Sequence, residues 1–256
     1  MLTAEKVSAY LSEPITVSVY ETLESTNRTA RDFAADKQEH LIIARSQTGG
    51  RGRLGRNFFS PNGGLYMSLL FYPKSNIADT SLITTAAAVA VSRATTRLAN
   101  VECKVKWVND IYVNDKKVCG ILTEGQFRSD GTLDYAILGI GINLLPPVDG
   151  FPDDIANRAG AVFEELPCDG DNILAATIVN EFMTLFRAGL DKRMFLDEYR
   201  SRSCVTGKKV DVIRIVGGTA IPAVAIGIDD SCRLIVRYDD GTTEALESGD
   251  VTIREI

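Results

Sequence analysis

Apolar residues recur along this chain with two different spacings, and the change between them marks out its elements. Leu82, Ile83, Ala86, Ala90, Val91, Ala94 and Leu98 keep the three-to-four-residue spacing of one helix face, which predicts a long helix from a cap at Asp79 to about Ala99. Residues 3–12 read as a short helix, a second helix follows Ser25-Thr26, and others are expected at about Asp171–Ala188 and Lys192–Arg202. Ser25 is the expected N-cap of the second helix, because its hydroxyl can accept from the first free amides. Short β-branched and aromatic runs predict strands around Ile15–Glu21, His40–Ala44, Gly64–Tyr72, Lys104–Lys106, Ile111–Asn114, Val118–Phe127 and Leu133–Ile142. Asn114-Asp115 and Asp130-Gly131 are the turns among the last of these, and residues 146–170 read as irregular loop around a short helix.

After Cys204 the pattern changes. GKKVDVIRI, IPAVAIGID, RLIVRYDD, TTEALESGD and VTIREI are five short strands with turn residues between them, the spacing of a small all-β barrel. A single domain boundary is expected, between residues 1–203 and residues 204–256.

Composition narrows the setting. A chain of 256 residues with a formal net charge of −6 lacks the broad basic surface that sequence-independent nucleic-acid binding requires. Five widely spaced cysteines and a single histidine offer neither a zinc pattern nor a disulfide framework, so a reducing cytoplasm is the expected location. The longest apolar-looking stretch, DTSLITTAAAVAVSRATTRLA, carries too many polar residues to span a bilayer, and the N-terminus shows no signal pattern. No membrane and no nucleic-acid partner are expected.

Charge is nevertheless concentrated locally. In QTGGRGRLGRNFFSPNGG, residues 50–55 fit G-x-G-x-x-G, but a turn-rich segment and another strand follow where a dinucleotide loop would begin a helix. Arg45, Arg51, Arg53 and Arg56 fall within a stretch that holds no acid. Glycines let that backbone approach a ligand closely, and the arginine fork suits two oxygens of a carboxylate or phosphate. Composition alone fits a solvated basic loop equally well.

Two further stretches add to it. In VKWVNDIYVNDKKVCGILTEG, Lys106, Asn109 and Asp110 flank the only tryptophan, and Lys117 opens the next strand. Taken singly, Trp107 suits a core, Lys116-Lys117 a solvated hairpin, and Asp110 an ion pair. GIGINL ends a strand at Asn143, whose amide either caps a turn or meets a purine edge.

Together and in this order these segments resemble the biotin protein ligases, also called biotin–[acetyl-CoA-carboxylase] ligases. The resemblance rests on EST-N at 24–27, Q-x-x-GRGR-x-GR at 47–56, KWVND at 106–110, KKVCGIL at 116–122, GIGIN at 139–143 and LESGDV at 246–251, and it runs through essentially the whole chain. It implies an α+β fold of the class II synthetase-like biotin/lipoate ligase type. A central mixed sheet with helices packed mainly on one face would precede a small SH3-like β-barrel.

The resemblance also implies a two-step reaction in which biotin and MgATP give biotinyl-5′-AMP, and a lysine of a biotin carboxyl carrier protein domain then receives the biotin. Carried over motif by motif, Ser25, Thr26, Asn27, Gln47, Gly49 and Gly120 would line the biotin pocket, with Arg51, Gly52, Arg53 and Lys117 at its carboxylate end. Arg51, Arg53, Arg56, Lys106, Asn109, Asp110, Lys117 and Asn143 would face ATP and the adenylate. Arg53 and Lys117 are the expected catalytic residues, and the metal ligands are left unassigned. Cys119 stands at a small-residue position of the motif and reads as packing.

Val108 stands where the family usually has proline, and Phe58 where a tryptophan is common. Some members carry an N-terminal winged helix and repress transcription. Here EST-N begins at residue 24, too early for that domain, so a monofunctional ligase is expected, with homodimerisation left open. The alternatives weighed are a lipoate ligase or octanoyl transferase, a non-catalytic anion-binding module, and a DNA-binding regulator.

Overall fold

The computed structural model describes residues 1–73, 80–213 and 218–247, together with the backbone of residues 250–253. The predicted Asp79 cap and the Ser248-Gly249 pair of LESGDV lie outside the described residues. Helix α1 (Ala4–Tyr10), strand β1 (Thr16–Leu23), helix α2 (Thr26–Asp32), and strands β2 (His40–Gln47) and β3 (Gly64–Phe71) come first. The long helix α3 (Thr80–Ala99) follows, then β4 (Lys104–Lys106), β5 (Asp110–Val113), β6 (Lys116–Phe127) and β7 (Leu133–Asn143), and helices α4 (Asp153–Ala156), α5 (Gly170–Arg187) and α6 (Leu196–Ser201). The strands form one sheet in the order β1-β2-β3-β7-β6-β5-β4. Strands β1 and β2 run parallel, and the pairs from β2 onward are antiparallel.

Side-chain alternation along these strands separates two faces. Ile43, Met67, Leu69, Phe71, Leu138, Ile140 and Ile142 join the main core with the buried sides of α3 and α5. Phe71 meets Phe182 and Phe186 of α5 edge-on, with ring centroids 5.3 and 4.8 Å apart. Burying such side chains stabilises the fold by roughly 1.5–3 kcal/mol each relative to exposure. The other face is thinly covered: Ile42, Leu70 and Ile137 pack with Ala30 of α2 in a small second cluster, and the rest is open to a cleft.

Two local expectations differ from what is found. Lys192–Arg202 is not one helix: a 3-10 turn over Lys192–Met194 and α6 are separated at Phe195, whose backbone turns to φ −145°, ψ −22° while its side chain is buried. Ser25 occupies the N-cap position of α2, but its hydroxyl makes no cap. Gln47 Oε1 accepts from the Thr26 amide at 2.8 Å instead.

The remaining strands, β8 (Lys209–Ile213), β9 (Ile221–Ile228), β10 (Leu234–Tyr238), β11 (Thr243–Leu246) and β12 (Asp250–Ile253), form a second antiparallel sheet in the order β11-β10-β9-β8-β12. The connection to it runs along β4: Val105 N donates to Arg202 O at 2.8 Å, and Cys204 N donates to Val105 O at 2.9 Å. Trp107 Nε1 reaches into the second sheet's β9–β10 turn and donates to Cys232 O at 2.9 Å. The Trp107–Val108 peptide is cis, and Tyr199 of α6 donates its hydroxyl to Val108 O at 3.0 Å.

Cys119 is buried in the main core on the helix-covered side of β6. Burial pushes its thiol well above the usual 9.0, and the Cys103 thiol is raised for the same reason. Above pH 9 the unfolded chain releases these protons while the folded chain retains them, so stability is full below that pH and falls as pH rises toward the folded-state values. We expect the Tm to decline from about pH 9 upward and Cys119→Ala to flatten that decline; thermal melts between pH 8 and 10.5 check this, and parallel curves for the two proteins would refute it.

Candidate functional site

The cleft begins with register. Across the open face, Tyr66 of β3 lies opposite Gly141 of β7, Gly141 opposite Gly120 of β6, Gly120 opposite Asp110 of β5, and Asp110 opposite Lys106 of β4. This row places two glycines between a tyrosine and an acid–base pair. A Cβ at Gly141 or Gly120 would come within 2.6 or 2.9 Å of the Phe58 ring. The glycines are therefore a floor on which an aromatic ring rests directly.

Lys117 reaches the same face through an irregularity. It lies three positions before Gly120, an odd separation that would turn it toward the core in a regular strand. The pairing shifts between Ile111 and Tyr112, so that Cys119 faces Ile111 and Lys117 faces Tyr112, leaving Val118 as an inserted residue. Such a bulge re-aims the side chains beyond it. Lys117 Nζ thereby comes 2.6 Å from Asp110 Oδ1 and 5.9 Å from the centre of the Phe58 ring. The Tyr112 hydroxyl, beside this pair, is pushed up to about 12 by burial and then by the Asp110 charge.

The arginine loop closes over the floor. Phe58 N donates to Gly50 O at 2.9 Å, and Gly52 N to Arg56 O at 2.7 Å, making a narrow excursion. Its tip is the 3-10 turn Arg53–Gly55, with Leu54 and Gly55 at φ 56° and 74°. Arg53 Nη1 lies 3.3 Å from Asn109 Oδ1, and Asn109 Nδ2 is held by Ile121 O at 2.8 Å. One side chain of the KWVND turn thus aims a side chain of the loop.

At the other end of the cleft, Gln47 Oε1 accepts from Thr26 N and, at 3.1 Å, from Thr26 Oγ1. Gln47 Nε2 donates to Ser60 Oγ at 3.1 Å, and Ser60 donates to Phe58 O at 2.8 Å. The polar end of the cleft and the base of the arginine loop therefore share one hydrogen-bond chain.

The whole cavity measures about 1320 Å³, above the ~300–1,000 Å³ usual for one ligand. Eight lysine or arginine side chains and three aspartates line it, a local surplus of five positive charges in a chain of net charge −6. Such a groove concentrates anions. Among the described residues no group of three or more His, Cys, Asp or Glu side chains is arranged to hold a metal ion, and no helix is long and apolar enough to cross a membrane.

Of the residues expected from the sequence, Ser25, Thr26, Asn27, Gln47, Arg51, Gly52, Arg53, Arg56, Lys106, Asn109, Asp110, Lys117, Gly120 and Asn143 all line this one cavity. Gly49 does not; its amide donates to Glu24 O at 2.8 Å at the foot of the loop. Asn143 lies at the end of β7 and donates to Gly160 O at 2.9 Å, which ties the 146–170 segment to the cleft edge. Sequence reasoning did not pick out Ser60, Ser68, Tyr66, Tyr112 or Glu124. Ser68 and Glu124 meet Asn27 across 41 and 97 residues of sequence, while Ser60 and Tyr66 bond the nearby carbonyls of Phe58 and Pro61 in stretches that read only as turn and strand.

Fold and cleft together define a class: an α+β enzyme domain whose mixed sheet offers a basic groove with room for two anionic small molecules, followed by a small β-domain. The models of known families agree. Residues 19–143 match the biotin/lipoate A/B protein ligase family, and residues 205–254 match the biotin protein ligase C terminal domain. The bifunctional ligase/repressor BirA of Bacillus spizizenii is 32% identical over 230 residues, 86% of this chain and 68% of that protein. The biotin–[acetyl-CoA-carboxylase] ligase of Paracoccus denitrificans is 30% identical over 236 residues, 85% of this chain and 92% of that one. A biotin protein ligase from Aquifex aeolicus, solved with biotin and ATP, superposes with a TM-score of 0.76 at 24% identity, covering 94% of this chain and 99% of that one. The chain belongs to the biotin protein ligase family.

Proposed function

We propose that this protein is an ATP-dependent biotin protein ligase. The biotin carboxylate attacks the α-phosphate of ATP, displacing pyrophosphate and forming biotinyl-5′-AMP. The ε-amine of a carrier-domain lysine then attacks the anhydride carbonyl, giving an amide and releasing AMP. The observation that carries this reading is the row Tyr66–Gly141–Gly120–Asp110, with Lys117 and the arginine loop gathered above it in one basic cavity. The glycine floor seats the Phe58 ring at the base of the groove, and two anions can meet only where fixed cations offset their repulsion.

In this reading Ser25, Thr26, Asn27 and Gln47 bind the ureido ring, whose donors and acceptor match their hydroxyls and amides. Arg53 and Lys117 bracket the reacting carboxylate and phosphate, and Lys106, Asn109, Asp110 and Asn143 border the nucleotide. Magnesium would come with the nucleotide and would offset charge on its phosphates. The lining fits it, since Mg²⁺ commonly takes one or two carboxylates plus substrate phosphates, and the cleft offers Asp110, Asp115 and Asp154. The acceptor is a biotin carboxyl carrier domain, and the division at 203/204 separates the ligase module from the module that supports its nucleotide wall.

Biotin-dependent ATP–pyrophosphate exchange tests the first half-reaction, with lipoate and octanoate as parallel substrates. Exchange with biotin alone is expected. Exchange with lipoate or octanoate in its place would move the assignment to the lipoate branch, and no exchange with any acid would leave only a binding function.

A further inference from the structure

Behind the polar end of the cleft, Asn27 is backed by Ser68, Glu124 and Arg31, side chains that the ligase reading has not used. Asn27, 7% exposed, donates from Nδ2 to Glu124 Oε2 at 2.7 Å, and its Oδ1 accepts from Ser68 Oγ at 2.6 Å. Arg31, one helical turn along α2, holds the other Glu124 oxygen at 3.1 Å. Ser68 is fully buried, and neither Ser68 nor Glu124 lines the cavity. The Asn27 carboxamide lies flat against Gly139, where a Cβ would collide with it.

We propose that Glu124, supported by Ser68, is a positioning residue that fixes the orientation of the Asn27 carboxamide and with it the acid specificity of the site; the proposal rests on the ligase reading. An amide can turn over and exchange its oxygen and nitrogen at little cost unless its neighbours forbid it. A serine hydroxyl does not forbid it, because it both donates and accepts. An ionised carboxylate only accepts, so it tolerates the amide nitrogen and repels the amide oxygen. Glu124 is therefore the group that decides. With one N–H engaged by Glu124 and one lone pair by Ser68, the carboxamide keeps one N–H and one lone pair for the cleft. That pair matches the C=O and N–H of a cyclic urea side by side. A dithiolane ring or a plain alkyl chain offers neither, and would leave both Asn27 groups unmatched.

Steady-state pyrophosphate exchange on the full chain tests this. Glu124→Leu is expected to raise the KM for biotin about tenfold, in the range for a polar group left without its partner, with the KM for ATP unchanged. Glu124→Gln, whose carbonyl oxygen can still accept from Asn27, is expected to recover biotin KM to within about threefold. In an Asn27→Ala background Glu124→Leu should have no further effect, since contacting residues that act as one unit are not additive. A merely structural role would instead lower Tm and leave biotin KM alone, raise both KM values alike, or add its full effect in the Asn27→Ala background. Any of these overturns the proposal. Wild-type protein without biotin-dependent exchange removes the ligase reading and this inference with it, whereas active wild type with an unaltered Glu124→Leu removes only the inference.

Discussion

Arg53→Ala is expected to lower biotin-dependent pyrophosphate exchange by about 10²–10³-fold, the usual loss when one fixed donor to a developing charge is removed. The size follows from how Arg53 is held. Its guanidinium meets Asn109 Oδ1 at 3.3 Å, and Asn109 is itself tied to β6 by its side chain to Ile121 O and by its carbonyl accepting from Ile121 N at 2.9 Å. The cation is thus aimed from the far side of the groove before any substrate arrives. Charge develops on the phosphate in the transition state more than in the ground state, so kcat should fall more than either KM rises. Arg53→Lys should restore only part of the rate, because an ammonium cannot engage two oxygens with a planar fork. Exchange within threefold of wild type in Arg53→Ala would show that the loop only covers the site.

The second large effect is expected at Lys117. Lys117→Met removes a cation and also strips Asp110 of its 2.6 Å partner, leaving a carboxylate aimed at the space where a carboxylate and a phosphate must meet. We expect a loss of at least about 10²-fold in exchange. The double variant Lys117→Met/Asp110→Asn should be faster than the single one, because the added repulsion is gone. Measuring both separates two roles. A double variant slower than Lys117→Met would mean that Asp110 contributes directly to nucleotide or metal binding, and equal rates would mean that its charge does not reach the reacting groups.

These effects were legible in the sequence to different depths. Apolar, β-branched and aromatic runs in GLYMSLLFY and LDYAILGIGIN located the central strands, and the absence of a helix after the arginine loop excluded a dinucleotide site. Chemistry carried by residue type was readable as well: three arginines among glycines imply an oxyanion. Spatial rows were not. That Gly120 lies opposite Gly141 depends on a register set by the β6–β7 turn, and that Lys117 shares the open face depends on an inserted Val118. Local patterns carry no record of either. Ser25 had the right residue type and position for a cap, yet Gln47, twenty-one residues from Thr26, supplies the bond. Glu124 lies on β6, 97 residues from Asn27, and only the packing of α2 across β7 makes the two partners.

The KWVND turn illustrates what such long-range anchoring implies. Its tryptophan is hydrogen-bonded to the second sheet at Cys232 O, and its Val108 carbonyl to α6 at Tyr199, while the strand before it is paired with the connecting segment. The five letters are therefore not portable. Grafted into another scaffold without those anchors, they would leave an indole N–H with no acceptor and a carbonyl with no donor, and Asn109 would lose the geometry that aims it. Transplanting this half of the site means moving a three-way junction rather than a hairpin.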